Sequence, residues 1–240
     1  MQKFSRFSII IPVKNEAQNV EILTKEIYKN CKSMMFEVIF INDGSTDNSI
    51  EILSKLKNKY KNLQVINHKH SLGQSAALRT GILRSINNII VTMDGDCQND
   101  PADIKKILIK FHSEKNDLVL IGGVRKVRKD NVSKRMASKI ARHIRRIFLN
   151  DEHPDSGCGI KIFHKKLYLL MPYFDHMHRF LPALAKREGG KVLSIDVNHR
   201  IRHNGKSNYT NLGRLIVGVS DMIGVMWLIK RSPSKITIEK

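Results

Sequence analysis

Residues 36–47 read FEVIFINDGSTD, a run of apolar and β-branched side chains that ends in a polar turn. Similar short runs, apolar nearly throughout, occur at 7–13, 63–67, 88–94 and 117–122. Runs of this length and composition are typical of strands that are buried on both faces of a sheet. The sequence therefore predicts five buried strands before residue 123.

Segments with helical periodicity separate these strands. Their apolar residues recur at spacings of three and four, and they cover 16–31, 46–60, 72–86 and 101–115. This alternation predicts an α/β fold with a doubly wound, mostly parallel sheet and helices on both faces. In folds of this class, ligands bind at the carboxyl ends of the strands.

The pattern changes after residue 122. Further strands are predicted at 159–163 and 192–202, and helices at 179–187 and 212–229. Residues 125–146 hold ten basic side chains against the single acid Asp130, and a basic amphipathic helix is predicted from about residue 134. We expect this helix to contact an anionic surface, because solvated helix faces usually mix both signs of charge.

Composition restricts the classes of partner. The 240 residues include 42 basic and 22 acidic side chains, which gives a formal net charge of +20. Since 41% of the residues are apolar and clustered, the charge is expected on a folded body whose partners carry phosphate: nucleic acid, a nucleotide or an anionic lipid surface. Neither a G-x-G-x-x-G motif nor a P-loop occurs, which disfavours a dinucleotide oxidoreductase and a P-loop ATPase.

Cysteine usage and apolar run lengths indicate the compartment. The three cysteines are widely spaced without a C-x-x-C pair, which argues against a disulfide framework and a structural zinc site and favours a reducing compartment. No signal-peptide pattern occurs at the N-terminus. The longest apolar stretch, 215–229, is shorter than the roughly 20 residues that a membrane-spanning helix needs. We therefore expect a cytoplasmic chain with no transmembrane helix.

The sequence DGDCQ (94–98) follows the predicted strand 88–94. In an extended chain, residues two apart project to the same side, so Asp94, Asp96 and Gln98 present three oxygen ligands, and Gly95 allows a close approach to the backbone. Oxygen ligands suit Mg²⁺ or Mn²⁺. The alternative is a capping loop before Pro101, but two neighbouring carboxylates repel each other unless a cation lies between them.

The turn NDGSTD (42–47) follows the predicted strand at 36–42. Gly44 permits a sharp turn, and Ser45 or Thr46 is a candidate cap for the next helix, which leaves Asp43 facing the crevice. There its carboxylate could accept hydrogen bonds from a nucleobase or ribose. Taken alone, this segment is also an ordinary turn and cap.

Four motifs together resemble those of the family-2 inverting glycosyltransferases: PVKNE (12–16), NDGSTD (42–47), SLGQSAALRTG (71–81) and DGDCQNDP (94–101). Within this family the chain is similar to dolichol-phosphate mannosyltransferase and other polyprenyl-phosphate glycosyltransferases, from residue 7 to about residue 230. The resemblance implies a GT-A-type fold in one continuous catalytic domain. Its nucleotide-sugar-binding half would be residues 1–122 and its acceptor-binding half residues 123–240.

The resemblance also implies an activity. A hexose would move from a nucleotide sugar, of the GDP-mannose or UDP-glucose type, to a polyprenyl or dolichyl phosphate at the cytoplasmic face of the membrane, with Mg²⁺ or Mn²⁺ as the cofactor. Relatives often carry transmembrane helices after the catalytic domain, so a separate membrane-anchoring protein is a candidate partner. Where the family commonly has two aspartates before the glycine of the second motif, this chain has Asn42 first, so the identity of the base stays open.

Roles for individual residues follow from the same resemblance. The nucleoside would be held by Pro12, Glu16 and Asp43, the ribose and diphosphate by Asp94, and the metal ion by Asp96 and Gln98, with Asp94 beside them. The phosphates would be neutralised by Arg125, Arg202 and Ser207. An ionised lipid phosphate needs no base, whereas a hydroxyl acceptor does. The candidate for this general base is Asp155, which could instead orient the nucleophile or simply form a turn before Gly157.

Three alternatives stay open. One is a family-2 glycosyltransferase with a soluble saccharide acceptor. Another is a basic nucleic-acid-binding protein, which the 6% aromatic content and the lack of a binding motif disfavour, so no nucleic acid is expected as a partner. The third is a zinc protein that uses Cys158, His176 and His178.

The last predicted helix carries an apolar stripe of Leu215, Val219, Met222, Met226 and Ile229. An apolar stripe of this kind usually packs on the protein core. Insertion into a membrane interface and docking on a membrane partner are the alternatives, which Trp227 and the neighbouring basic residues favour.

Overall fold

The computed structural model describes residues 5–126, 148–149, 153–200 and 211–232, and for 211–217 only the backbone. The described strands are β1 (Phe7–Val13), β2 (Phe36–Asp43), β3 (Leu63–His68), β4 (Ile89–Thr92), β5 (Val119–Arg125), β6 (Lys161–His164) and β7 (Lys191–Val197). The described helices are α1 (Val20–Asn30), α2 (Ser49–Lys59), α3 (Gln74–Arg84), α4 (Asp103–His112), α5 (Lys165–Leu170), α6 (Leu181–Arg187) and α7 (Asn211–Lys230). A 3₁₀ turn covers Met177–Arg179.

The strands form one sheet in the order β3-β2-β1-β4-β6-β5-β7. The pairs β1–β2, β1–β4, β2–β3 and β5–β7 are parallel, and β6 pairs antiparallel with both β4 and β5. The predicted mostly parallel α/β sheet is confirmed. The insertion of β6 between β4 and β5 was not predicted, and it means that strands from both sides of residue 122 share one sheet.

Two apolar layers cover the sheet. Successive residues of β1, such as Ile9 and Ile10, point to opposite faces. Helices α1, α2 and α4 pack on one face, and α3, α5, α6 and α7 on the other. Helices on both faces explain why the central strands are apolar along their whole length.

Strand β3 is an exception to the predicted burial. Gln64 and Asn67 are exposed, and only Leu63 is fully buried. The reason is that β3 is the last strand at one edge of the described sheet and pairs with β2 alone.

The helix α7 packs on the core through Val225, with Met222, Met226 and Ile229 partly buried beside it. Met222, Met226 and Ile229 of the predicted stripe thus take the core-packing alternative, whereas Val219 of the same stripe is exposed. The side chain of Leu215 lies outside the described ones. Val219, Ile223 and Trp227 form a second, exposed row, with 46%, 60% and 59% of their surface accessible. Within the described ranges, none of the helices combines the length and the apolar character needed to cross a bilayer.

Candidate active site

A cavity of about 220 Å³ opens at the carboxyl end of β4. Its walls come from the start of α3, the residues that follow β4, the loop 156–159 and the turn 176–179. Of the side chains that line it, Asp94 is acidic, and Lys161 and Arg179 are basic. The cavity lies at the edge of the sheet where the class of fold places its ligands.

The loop 94–98 leaves β4 as a tight turn rather than as extended chain. Strand β4 ends at Thr92, two residues earlier than predicted, and Cys97 has a positive φ of 61°. Burial nevertheless alternates, because Gly95 and Cys97 are buried while Asp94, Asp96 and Gln98 stay partly accessible. The three candidate ligands are therefore the partly accessible residues of a loop that is not extended.

Gly95 lies close to the end of strand β1. A side chain there would overlap Val13, whose Cγ1 atom lies 2.7 Å from the position of a Cβ atom. The carbonyl of Pro12 lies 3.0 Å from the same position, so the loop after β4 packs closely on β1.

Asp94 lies at the junction of the cavity walls. Its Oδ1 atom accepts a hydrogen bond of 3.0 Å from Gln74 at the first residue of α3. Its carboxylate lies against Gly159, where any side chain would overlap it. Burial, followed by the negative charge of Asp96, raises the pKa of Asp94 to about 6.

The donor set at this loop fits a divalent cation. Burial is the main cause of the raised pKa of Asp94 and the negative charge of Asp96 is the second, and a nearby cation would offset both. Asp96 Oδ1 accepts a hydrogen bond from the Gln98 backbone N–H, and the loop is also held by Asn99 Oδ1, which accepts from the Asp94 N–H. In the described part of the chain no three His, Cys, Asp or Glu side chains converge on one ion position. Two carboxylates and an amide leave coordination positions for a diphosphate.

Asp43 is buried rather than turned to the crevice, which corrects the sequence-based expectation. Only 4% of its surface is accessible, and its carboxylate accepts hydrogen bonds from His68, Ser71, Leu72 and Gly73 at 2.8–2.9 Å. Burial alone would raise the pKa of Asp43, but these four hydrogen bonds outweigh it and keep the pKa low. The contacts with Leu72 and Gly73 hold the start of α3, from which Gln74 reaches Asp94.

The turn after β2 is also capped differently from the prediction. Gly44 adopts the expected positive φ, 64°. The acceptor at the start of α2 is Asp47, which binds the backbone N–H of Ser49, whereas Ser45 Oγ accepts from Asn15. Asp47 also accepts from the N–H of Ala17, so the turn after β2 is joined to the loop after β1.

The candidate nucleoside residues Pro12 and Glu16 lie on that loop after β1. Glu16 is partly exposed, and its backbone N–H donates to Ser49 Oγ at 3.0 Å. It also lines a shallow open depression together with Asn15, Asn19 and other residues of the two joined loops. The structure thus brings Pro12 next to the Asp94 loop and places Glu16 at a separate depression.

Arg125 and Asp155 form a partly buried bidentate ion pair. Arg125 Nε and Nη2 donate to the two carboxylate oxygens of Asp155 at 2.6 and 2.7 Å. The Asp155 side chain is 6% exposed, and its carbonyl accepts from Cys158 in a turn. The pKa of Arg125 is raised because its ion pair with Asp155 outweighs the cost of burial. Asp155 therefore holds Arg125 beside the cavity as well as forming the turn.

Sequence reasoning gave no site role to two polar residues of the cavity wall, Gln74 and Lys161, and it considered a third, His178, only as a zinc ligand. Gln74 belongs to a motif quoted above but was given no role. Lys161 is a basic residue within the apolar run 159–163, and this exception was its signal. His178 lies against Ser75, with Nδ1 2.8 Å from the hydroxyl, and burial, reinforced by the charge of Arg179, lowers the pKa of His178 to about 3. Its imidazole is thus neutral.

The zinc alternative is not supported by the described residues. His178 is engaged with Ser75, and His176 pairs with Asp221, whose Oδ2 lies 3.2 Å from Nδ1. Cys158 is a buried free thiol whose pKa is raised by burial.

Arg202, Ser207 and the basic segment beyond residue 126 lie outside the described residues. The described chain before Arg202 is joined to the loop 94–98, because the Arg200 N–H donates to the Gln98 carbonyl at 3.0 Å. The Arg200 guanidinium also bridges Glu26 and Asp100.

Solved structures share this fold over nearly the whole chain. Glucosyl-3-phosphoglycerate synthase from Mycobacterium tuberculosis, in complex with Mn²⁺, UDP and phosphoglyceric acid, has a TM-score of 0.68 at 16% identity, with 96% of this chain and 80% of that chain covered. Mannosyl-3-phosphoglycerate synthase from Rubrobacter xylanophilus has a TM-score of 0.71 at 10% identity, with 98% and 77% covered. The described sheet thus has the GT-A fold, which these glycosyltransferases share.

Sequence similarity then gives the family. The family model described as glycosyl transferase family 2 matches residues 8–173, and the chain belongs to this family. Undecaprenyl-phosphate 4-deoxy-4-formamido-L-arabinose transferase of Pectobacterium carotovorum is 28% identical over 208 residues, which are 85% of this chain and 63% of that protein. Dodecaprenyl-phosphate galacturonate synthase of Rhizobium johnstonii is 29% identical over 229 residues, 93% and 67% of the two chains. The chain spans about two thirds of the length of these curated relatives.

Proposed function

We propose that this chain is a metal-dependent inverting glycosyltransferase that moves a hexose from a nucleotide sugar to a polyprenyl or dolichyl phosphate at the membrane surface. The observation that carries the proposal is that Asp94, whose carboxylate feels the negative charge of Asp96, lines a cavity whose other charged lining residues are basic. The relatives named above are polyprenyl-phosphate sugar transferases, which supports the acceptor. A GDP-mannose or UDP-glucose type of donor is part of the proposal.

The donor is assigned to the edge of the sheet formed by β1, β2 and β4. Asp94, Asp96 and Gln98 are the residues that would hold Mg²⁺ or Mn²⁺, and a neighbour of the same fold was solved with Mn²⁺ and UDP. When bound, the ion supplies positive charge that stabilises the diphosphate leaving group. Pro12 and Glu16 contact the nucleoside in this proposal, and Asp43 acts indirectly by holding the start of α3.

The acceptor is assigned to the opposite wall of the cavity. A phosphate monoester, whose second pKa is about 6, is ionised at neutral pH and can attack the anomeric carbon without a base. This agrees with an Asp155 carboxylate that is fully occupied by Arg125. Asp155 then keeps the Arg125 guanidinium oriented for the phosphates, and Arg202 and Ser207 complete the phosphate contacts.

A peripheral position on the cytoplasmic face of the membrane is part of the same proposal. The exposed row Val219, Ile223 and Trp227 on α7 supports it, and Lys230 and Arg231 follow that row. Apolar side chains flanked by basic residues are typical of segments that lie in the membrane interface. The net charge of +20 favours an anionic surface.

The test is a partition assay. Purified protein is incubated with labelled GDP-mannose or UDP-glucose, Mn²⁺ and vesicles that contain undecaprenyl phosphate, followed by organic extraction. We expect label in the organic phase that disappears when Mn²⁺ is chelated. Label that stays in the aqueous phase on an added oligosaccharide would establish the soluble-acceptor alternative instead. Transfer from neither donor to either acceptor would contradict the proposed activity.

A further inference from the structure

The inference concerns Lys161, the first residue of β6. Lys161 lies beside Thr92 of β4 in the sheet and is 4% exposed, and it lines the cavity. Its neighbours on the strand, Ile162 and Phe163, are fully buried apolar side chains. A lysine at such a position packs less apolar surface than its neighbours, and its ammonium loses contact with water. Its charge therefore needs another source of stabilisation.

The ammonium of Lys161 has more donors than the described partners use. An ammonium has three N–H donors, and Lys161 donates one hydrogen bond to the Cys158 carbonyl. Among the described residues no carboxylate lies within 4 Å of it, although Asp94 and Asp155 act on it electrostatically. Burial lowers the pKa of Lys161 from its ordinary value. A buried ammonium in this situation is stabilised by an anion.

The nearby charges distinguish Lys161 from Arg125. Arg125 is neutralised by its bidentate pair with Asp155. Asp94 faces Asp96 and is assigned to the metal ion in the proposed function. Lys161 is thus the buried cation of the cavity wall whose charge the described ion pairs do not balance.

We propose that the ammonium of Lys161 binds a phosphate group of a substrate inside the cavity. This inference rests on the proposed function, which offers two sources of phosphate: the diphosphate of the nucleotide sugar and the monophosphate of the lipid. Both present ionised oxygens that accept charge-assisted hydrogen bonds. Lys161 and the metal ligands then hold phosphate oxygens from different sides of the cavity.

The test measures binding with Lys161→Gln and Lys161→Met. Glutamine keeps an N–H donor that can reach the Cys158 carbonyl, and methionine keeps the length of the chain, whereas both remove the charge. The probes are UDP and GDP with Mg²⁺ in one arm and a water-soluble ten-carbon prenyl monophosphate in the other, both followed by calorimetry. The matched control is Lys166→Met, which removes the same charge from an exposed position on α5.

We expect both Lys161 variants to bind the probes of at least one arm about 10- to 100-fold more weakly than the wild type does. This is the effect of losing one charged hydrogen bond. Weaker binding of the prenyl phosphate alone assigns Lys161 to the acceptor, and weaker binding of the nucleoside diphosphates alone assigns it to the donor. Lys166→Met should bind all probes as the wild type does. Unchanged binding in both arms by folded Lys161 variants would overturn the inference.

A second measurement uses the unaltered chain, in case the variants do not fold. In crystals soaked with the nucleoside diphosphates or the prenyl phosphate, a phosphate oxygen should lie within hydrogen-bond distance of Lys161 Nζ. Phosphate groups bound elsewhere in every soak would overturn the inference. The two proposals fail separately, because a chain that transfers no sugar to polyprenyl phosphate can still bind nucleoside diphosphate through Lys161.

Discussion

Asp94 links the walls of the candidate site through contacts that come from separate parts of the chain. Gln74 reaches it from α3, Gly159 leaves room for its carboxylate, and burial followed by the charge of Asp96 raises its pKa. The charges of Lys161 and Arg125 lower the pKa by less than burial and Asp96 raise it. A site with this imbalance gains from binding a divalent cation.

The first prediction concerns Asp96. Asp96→Ala should lower the rate of sugar transfer by more than about 100-fold, because a lost metal ligand removes several kcal/mol of stabilisation from the leaving group. The free energy of unfolding should change by less than about 0.5 kcal/mol, as is usual at an accessible loop position. Asp117→Ala, at a side chain that is 78% exposed, is the control for both measurements. Retained turnover in Asp96→Ala would show that the metal ligands lie elsewhere.

A pH-dependent effect is expected at Asp94. Its pKa is about 6 in the folded chain against an ordinary value of 3.8, so the folded state binds the proton more tightly than the unfolded state does. The contribution of Asp94 to the stability of the metal-free protein should fall as the pH rises from about 4 to above 6, and Asp94→Asn removes this contribution. The advantage of Asp94→Asn in denaturant unfolding with chelator should therefore grow across that range. A difference that does not vary with pH would contradict the raised pKa.

Variants of the pair Arg125–Asp155 test whether Asp155 is a structural carboxylate or a catalytic base. Asp155→Ala leaves the Arg125 guanidinium without its partner, which should lower the free energy of unfolding by about 3 kcal/mol. Chemical denaturation measures this loss, and Arg125→Met with Asp155→Leu should recover part of it. A stable Asp155→Ala protein that is inactive with a hydroxyl acceptor would favour the general-base role instead.

At the scale of elements, the sequence predicted the strands and helices that its periodicity determines. Strands β1 and β2 and helices α1 to α4 occur where the apolar runs and helical spacings placed them. The position of β6 could not be predicted, because strand order depends on contacts between distant segments. The orientation of Asp43 was missed for a related reason, since its hydrogen-bond partners lie 25 to 30 residues further along the chain.

The exposed row on α7 leads to a prediction about membranes. Ile223→Asp should weaken sedimentation with vesicles of phosphatidylcholine and phosphatidylglycerol by about tenfold or more, because it removes an apolar side chain worth about 1.5–3 kcal/mol on burial. The matched control is Ile22→Asp on α1, at a side chain that is 43% exposed on the opposite face of the sheet. Equal sedimentation of Ile223→Asp and wild type, or an equal loss in the control, would contradict an interfacial α7.

At the scale of the whole molecule, the fold indicates the class of protein, whereas the net charge indicates the kind of partner. The parallel sheet and its strand-end motifs were predictable from sequence and give the class of protein. The net charge of +20 indicated phosphate-bearing partners without saying which. Lys161 and Gln74 became candidate site residues only when β6 and α3 were seen to meet at Asp94, which no local pattern encodes.

The central claim is that the loop after β4 holds a divalent ion against a nucleoside diphosphate. Anomalous diffraction at the manganese edge, from crystals grown with Mn²⁺ and UDP or GDP, tests it most directly. We expect one manganese peak within about 2.0–2.6 Å of oxygens from the 94–98 loop and of diphosphate oxygens. A diphosphate bound with no manganese beside Asp94 or Asp96, or a manganese bound elsewhere, would contradict the account.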